Sequence, residues 1–247
     1  MASVVCVFGS PNSGSTTLSV AIAKEFAKTK KNVVLICPDQ KIPTIPVIFP
    51  QSTKKVGSND TRSIGRILSG INVSSNDILK QMVTVPNTKN FAILGYAYGE
   101  NKYTYPNIAE NDVLLFYQKL ADLVDIIVVD CSSNIDNLIS KIALQCADAI
   151  VRCCTCDFKS ISYFASNLSR ISTASVATIN HIIVYPMIRE YDNTSDVSAV
   201  LGEPDYEIKF NSNLAKMSGN GELFFCDYPA QYKKIVKNIV KEMSLVG

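Results

Sequence analysis

The stretch that decides the fold is Val4–Thr17, which reads VVCVFGSPNSGSTT. A short apolar run, Val4–Phe8, precedes a loop that contains glycine, and a pattern typical of a helix follows over Thr16–Lys30. Strand, glycine-containing loop and helix N-terminus form the arrangement in which successive backbone N–H groups surround a phosphate. The sequence therefore predicts a phosphate-binding loop at Gly9–Thr17.

This loop matches the Walker A pattern, G-x-x-x-x-G-K-[ST], except at its lysine. Gly9, Gly14 and Thr16 occupy the glycine and hydroxyl positions, whereas Ser15 stands where the pattern has lysine. The backbone N–H groups and the Thr16 hydroxyl remain, but the ammonium group that pairs with the β- and γ-phosphates is missing. The candidate nucleotide-binding residues are Gly9, Ser10, Pro11, Asn12, Ser13, Gly14, Ser15, Thr16 and Thr17.

Composition predicts one α/β domain over residues 1–247. The chain is 47% hydrophobic, which is enough for one large core, and its net charge of +2 gives no electrostatic support for nucleic-acid binding. No apolar stretch approaches the roughly 18 to 20 residues of a spanning helix. The N-terminus, MASVVCVFGS, lacks the basic segment of a signal peptide. With most of the eight cysteines in or beside apolar runs, we expect reduced thiols and a cytoplasmic protein.

Apolar runs alternate with helical patterns along most of the chain, which predicts a mostly parallel sheet with helices on both faces. Strands are predicted at Val4–Phe8, Val33–Cys37, Phe91–Leu94, Ile126–Asp130, Ala149–Cys153 and His181–Tyr185. Helices are predicted near Thr16–Lys30, Ser63–Ser69, Asp77–Val83, Glu110–Leu123, Leu138–Gln145, Ser160–Ile171 and Pro229–Met243. Two polar segments, Gln40–Thr61 and Tyr191–Tyr206, are predicted to be irregular surface loops.

Two carboxylates lie at the ends of predicted strands. Asp39 follows the second strand, and Asp130 is the last residue of the fourth. Open parallel sheets bind ligands beyond the carboxyl ends of their strands. Asp130 could therefore hold Mg²⁺ beside Thr16, although either aspartate alone could also be an ordinary turn residue. Their occurrence after a strand–loop–helix start favours a nucleotide site.

The chain resembles the ParA/MinD group of P-loop ATPases over nearly its whole length. Asp125–Ser133, DIIVVDCSS, is similar to the second acidic motif of that group. Ala143–Ile161 and Phe210–Phe225 resemble later segments, in the same order and at similar spacing. The resemblance implies a P-loop NTPase fold, ATP or ADP with Mg²⁺, and a homodimer with nucleotide at its centre. It also implies a role in positioning or partitioning, with a protein partner in a localisation or assembly apparatus.

The phosphate loop departs from that group, whose loop carries two lysines. Ser10 replaces the signature lysine that reaches across the dimer, and Ser15 replaces the Walker lysine. Pro11 and Asn12 replace two glycines. Because phosphoryl transfer depends on charge stabilisation, and one catalytic cation contributes about 10³–10⁵ in rate, these departures predict slow or absent hydrolysis.

The carboxylate side of the site keeps the pattern of the group. Thr16 and Asp130 match its Mg²⁺ ligands, and Asp39 matches the aspartate that helps to position the attacking water, although Cys37 replaces the preceding aspartate. Two hypotheses follow. The chain is a nucleotide-binding localisation or partitioning factor with weak or lost ATP hydrolysis, or a pseudo-ATPase scaffold of a pilus, secretion or mobile-element apparatus that needs no nucleotide. Degenerate loops of this kind also resemble the TadZ/CpaE branch.

Two further segments could serve association. The last predicted helix has an apolar face and several lysines, so it either packs on the sheet or contacts a membrane surface; packing is the favoured interpretation. Spaced tyrosines over Tyr96–Tyr105 are predicted to stiffen a dimer or partner surface. Because Ser10 cannot cross to a partner's phosphates, we expect an oligomeric state that changes little with nucleotide.

Overall fold

The computed structural model describes residues 2–50, 62–70, 72–85, 88–105, 108–171 and 180–244. Within these residues the strands are β1 Ser3–Gly9, β2 Val33–Cys37, β3 Val83–Thr84, β4 Phe91–Gly95, β5 Ile126–Asp130, β6 Ala149–Cys153, β7 Asn180–Ile188 and β8 Tyr206–Lys209. The helices are α1 Ser15–Ala27, α2 Ile45–Ile48, α3 Ile64–Leu68, α4 Ser75–Gln81, α5 Glu110–Ala121, α6 Leu138–Gln145, α7 Phe158–Ile171, α8 Thr194–Leu201, α9 Ser212–Gly219 and α10 Ala230–Ser244.

These strands form one sheet in the order β3-β4-β2-β5-β1-β6-β7-β8. All neighbouring strands pair in parallel except β3, which is antiparallel to β4. The central strands β1, β2 and β5 consist mostly of apolar residues because helices cover both faces. Helices α1 and α10 pack on one face, and α5, α6 and α7 pack on the other. The predicted α/β class and mostly parallel sheet are therefore confirmed.

The predicted strands all occur, and the predicted bounds of β2, β5 and β6 match those in the structure. The prediction of two irregular surface loops was wrong. Helix α2 lies within Gln40–Thr61, where Ile45 and Ile48 are buried in the core, while 51–61 lie outside the described residues. Helix α8 lies within Tyr191–Tyr206. Both helices are short, so their few apolar residues do not form a helical period long enough to recognise.

The C-terminal helix packs against the fold, as the favoured interpretation predicted. Its apolar side chains, including Tyr232, Val236 and Ile239, are buried beside α1, whereas Lys234 and Lys237 are exposed. In the described part of the chain, no helix combines the length and apolar character needed to span a bilayer.

Parallel strands place their carboxyl ends at one edge of the sheet, and the predicted site residues meet there. The loop after β1 leads into α1, Asp39 follows β2, and Asp130 ends β5 directly beside β1. Val7 pairs with Asp130 in the parallel ladder, which brings this carboxylate next to the start of the loop.

Candidate functional site

The phosphate loop makes a tight turn that depends on backbone conformations favoured by glycine and asparagine. Asn12 and Gly14 have φ angles of 64° and 80°, in the left-handed region. A side chain at Gly9 would overlap the Ser13 hydroxyl and the Cys153 carbonyl. The turn ends at the start of α1, whose first backbone N–H groups have no intrahelical partner and form an anion-binding end.

Two serines of the loop point inward and differ in their hydrogen bonding. Ser10, at the position of the signature lysine, is only 3% exposed, and its Oγ donates to Ser160 Oγ over 3.2 Å. The Ser10 side chain therefore ties the loop to α7 and does not extend from the surface. Ser13 is equally buried, yet its Oγ has no hydrogen-bond partner among the described residues. A buried hydroxyl without a partner beside an anion-binding turn fits a phosphate oxygen as the missing acceptor.

The Thr16–Asp130 pair is formed directly. Thr16 Oγ1 donates to Asp130 Oδ2 over 2.7 Å, and Ser19 Oγ donates to Asp130 Oδ1 over 3.2 Å. The pKa of Asp130 is raised to about 7, chiefly because the group is buried; the hydrogen bonds from Thr16 and Ser19 oppose this increase, and the charge of Asp39 adds to it. Hydroxyl and carboxylate oxygens are the ligands that Mg²⁺ prefers, so this donor set fits that ion.

Asp39 stabilises a turn with one carboxylate oxygen and lies close to Asp130. The interpretation as a turn residue and the interpretation as part of a nucleotide site are therefore compatible. Its Oδ1 accepts hydrogen bonds from the backbone N–H groups of Lys41 and Ile42 at 2.8 and 2.9 Å. Its Oδ2 accepts from Ser132 Oγ at 2.7 Å. Ser132 and Ser19 orient the two carboxylates, and neither role was predicted from the sequence because both depend on contacts between distant segments.

A cavity of about 620 Å³ contains this arrangement, a volume typical of small-molecule sites. Its polar lining comes from residues 10–17 of the predicted loop, that is, all of it except Gly9, together with Asp39 and Asp130. Its apolar lining includes Pro186, Met187, Ile208, Phe210, Leu214 and Tyr232. Anion-binding groups and apolar side chains in one cavity suit a ligand that joins phosphates to a flat ring.

Met187 forms part of the wall through an irregularity in the sheet. The register between β7 and β8 shifts between Tyr185 and Ile188, and Met187 has a φ angle of 61°. Its side chain lies over Gly14, since Met187 Sδ and Cε come within 3.7 and 3.6 Å of the position that a Cβ there would take. A non-glycine residue in the left-handed region is strained, and such residues cluster at functional sites. Sequence patterns do not predict this bulge because it arises from strand pairing.

Positive charge is scarce at the cavity. Of the described residues that line it, Lys209 alone is a lysine or arginine. Lys24, on α1, is engaged elsewhere: its Nζ donates to the carbonyls of Leu223 and Phe224 at 2.9 and 3.1 Å. Burial lowers the pKa of Lys24 to about 8. The lysine missing from the loop is therefore not replaced by a lysine on the following helix.

Comparison with known proteins gives a match in structure only. No protein-family model and no curated protein matches the sequence. Among solved structures, a plasmid partition protein (BB_S35) from Borrelia burgdorferi bound to AMPPNP has a TM-score of 0.74 at 17% identity, over 99% of both chains. A ParA family ATPase from Chlorobium tepidum has a TM-score of 0.75 at 14% identity, over 97% of this chain and 98% of that one.

The Mg-ADP complex of MinD, the septum site-determining protein from Pyrococcus horikoshii, has a TM-score of 0.70 at 12% identity, over 100% of this chain and 99% of that one. Similarity across entire chains at such low identity reflects a shared arrangement of strands and helices. Together with the sheet order and the loop after β1, it shows that the chain has the fold of ParA/MinD-type P-loop ATPases.

Proposed function

We propose that the chain is a nucleotide-binding localisation or partitioning factor that binds ATP or ADP with Mg²⁺ at Gly9–Thr17 and hydrolyses ATP weakly or not at all. The observation that carries this proposal is the cavity in which the phosphate loop, the Thr16–Asp130 pair and Asp39 meet. The similar folds include a plasmid partition protein bound to AMPPNP and a septum site-determining protein with Mg-ADP.

Phosphate binding would rest on backbone groups. The N–H groups of Ser13–Thr16 lie at the N-terminus of α1, and the Ser13 hydroxyl is an additional donor. Thr16 and Asp130 would hold Mg²⁺, which neutralises phosphate charge when bound. Asp39, held by Ser132, would orient a water molecule at the same end of the cavity.

Weak or lost hydrolysis follows from the charges of the loop. Ser15 carries no charge, and Ser10 is turned inward toward Ser160. Transferring a phosphoryl group develops negative charge that fixed cations stabilise, and neither loop position provides a cation. The Thr16 hydroxyl and the Asp130 carboxylate are retained, so we expect metal-dependent binding to survive better than turnover.

A scaffold that needs no nucleotide is the second candidate. The observation that supports it is that side chains of the site are hydrogen-bonded to one another. Thr16 and Asp130 satisfy each other, and Ser10 is held by Ser160, so the loop is ordered by contacts within the protein. In that case a homodimer or a protein partner in a localisation or assembly apparatus would carry the function.

Calorimetric titration of ATP and ADP, with and without Mg²⁺, separates the two candidates. We expect weak binding that strengthens with Mg²⁺ and loses this dependence in Thr16→Val, which keeps the shape of the side chain and removes its hydroxyl. Thr29→Val is the control just beyond the other end of α1, because Thr29 does not line the cavity and its Oγ1 donates to the carbonyl of Phe26 at 2.6 Å. Absence of heat from folded protein at high nucleotide concentration would contradict the first candidate and leave the scaffold.

A further inference from the structure

The segment between α9 and α10, residues 220–228, is an aromatic turn that continues directly from the wall of the cavity. Ser218, near the end of α9, lines the cavity. The backbone N–H of Gly221 donates to the carbonyl of Ser218 at 3.2 Å, and that of Glu222 donates to the carbonyl of Met217 at 2.8 Å. These bonds fix the start of the aromatic turn to α9, so the positions of the two segments are coupled.

The aromatic turn also packs against the segment that follows β2. The ring centroids of Phe224 and Phe225 lie 6.1 and 5.7 Å from that of Phe49, the residue after α2. A side chain at Gly221 would overlap the carbonyl of Val47, a residue of α2 that lines the cavity. The aromatic turn therefore contacts two elements of the cavity wall, α2 and α9, that are far apart in the chain.

Lys24, on α1, binds the backbone of the aromatic turn. Its Nζ donates to the carbonyls of Leu223 and Phe224 at 2.9 and 3.1 Å and to that of Cys226 at 3.4 Å. The same Nζ lies 4.5 Å from the centroid of the Tyr228 ring, a distance at which a cation and an aromatic face attract each other. One amino group therefore makes four contacts with the turn.

These contacts satisfy groups that are otherwise without a donor. Leu223 and Phe224 are 1% and 9% exposed. Among the described residues, no other group donates a hydrogen bond to the carbonyls of Phe224 and Cys226. A buried carbonyl that loses its donor is unfavourable, so without Lys24 the turn would shift to expose these carbonyls to water.

Helix α1 connects this contact to the phosphate loop. The helix begins at Ser15, within the loop, and Lys24 lies in its last turn. Because a helix is a rigid element, the contact of Lys24 sets the position of the aromatic turn relative to the loop. Three parts of the cavity, namely the loop, α2 and α9, are thereby fixed relative to one another.

We infer that Lys24 is a positioning residue of the cavity, because it holds the aromatic turn on α1 and thereby keeps α2 and α9 at the distance from the phosphate loop that a nucleotide requires. Lys24 does not line the cavity, so it acts through the turn and not by contact with the ligand. The effect on affinity rests on the proposed nucleotide function, whereas the positioning itself needs no nucleotide.

Hydrogen exchange without nucleotide tests the positioning. Lys24→Met keeps the length of the side chain and removes its charge and its N–H donors. We expect amides of the aromatic turn, α2 and α9 to exchange about tenfold faster in this variant, because they open more often when the turn is released. Amides of α5 and α6, which pack on the other face of the sheet, should exchange as in the wild type.

Two further variants separate the contact of Lys24 from a general loss of charge. Lys24→Arg keeps the charge and the donors, so it should restore wild-type exchange. Lys28→Met is the matched control at the same end of α1, because Lys28 is exposed and its Nζ pairs with Glu25 at 2.6 Å. If circular dichroism shows that Lys24→Met is unfolded, Lys24→Gln, which retains two N–H donors, takes its place.

Calorimetry with Mg-ATP tests the consequence for the ligand. We expect Lys24→Met to bind about tenfold more weakly than the wild type, and Lys24→Arg and Lys28→Met to bind as the wild type does.

Each other outcome overturns a defined part of the argument. Unchanged exchange of α2 and α9 in folded Lys24→Met contradicts the inference, and so does an equal increase in α5 and α6, which would show general destabilisation. Faster exchange of α2 and α9 with unchanged Mg-ATP affinity contradicts the link to the ligand and leaves the proposed function intact. A wild type that binds no nucleotide contradicts the proposed function, and the exchange measurement then still decides whether Lys24 positions the cavity.

Discussion

The two sides of the cavity match, to different extents, the ParA/MinD pattern that the sequence resembles. On the carboxylate side, Asp130 accepts from Thr16 and Ser19, and Asp39 accepts from Ser132. On the phosphate-loop side, the backbone turn is formed, but Ser10 and Ser15 stand where that pattern has lysine. The difference shows that the shape of a phosphate loop, which depends on backbone conformation, is separable from its charge, which depends on side chains.

The largest expected effect concerns the carboxylate side. Asp130 has a pKa of about 7 in the folded chain, above its value in the unfolded chain, so ionisation is less favourable when the chain is folded. Its contribution to stability is fully present below about pH 4 and is lost as the pH rises to about 7, by at most about 1.4 kcal/mol per pH unit.

Urea denaturation at pH 5 and pH 8, without Mg²⁺ or nucleotide, measures this loss, and Asp130→Asn provides the comparison. The amide cannot ionise, so the decrease in the free energy of unfolding between the two pH values should be smaller in the variant than in the wild type. An equal decrease in both proteins would show that ionisation of Asp130 does not lower the free energy of unfolding. That result would contradict the raised pKa of Asp130.

Restoring charge to the loop tests the other side. Ser15→Lys should tighten binding of Mg-ATP by about 1.5–3 kcal/mol, because the new ammonium group meets phosphates in a partly enclosed site. Calorimetry checks the change, and Ser15→Met is the control that adds length without charge. If both variants behave like the wild type, another residue already supplies the charge or the loop does not bind phosphate.

Much of the fold and the core of the candidate site were predictable from the sequence. The strand ends that place Asp39 and Asp130 were predicted because buried parallel strands are continuous apolar runs, and the loop was predicted from its glycine spacing. The same local patterns do not predict the bulge at Met187 or the inward direction of Ser10. Both depend on pairing and packing between segments that are far apart in the chain.

A smaller effect distinguishes the two inward-pointing serines of the loop. Ser10→Ala removes a hydrogen bond to Ser160 and should lower the free energy of unfolding by about 1–3 kcal/mol, because it leaves a buried hydroxyl without that partner. Ser13→Ala removes a hydroxyl that has no partner among the described residues, so its cost should be close to zero. Urea denaturation of both variants measures the difference, and equal losses would contradict the assigned hydrogen bonding.

The smallest expected effect concerns association. The tyrosine segment offers less surface than the sequence suggested: Tyr96 is fully buried and its hydroxyl accepts from Gln40 Nε2 at 2.7 Å, while Tyr105 Oη donates to Glu100 at 2.7 Å. Tyr98 and Tyr103 are 63% and 76% exposed, so they alone of the four tyrosines are available to a second copy or a partner.

Ser10, held inward, cannot bridge to the phosphates of another subunit. We therefore expect the mass measured by light scattering to change little when Mg-ATP is added. Any dimer should instead weaken when Tyr98 and Tyr103 are replaced by serine, with Tyr191→Ser as a control on an exposed tyrosine outside this segment. An ATP-driven doubling of mass in the wild type would contradict this expectation, because it would show that a loop without lysine still permits a nucleotide-dependent dimer.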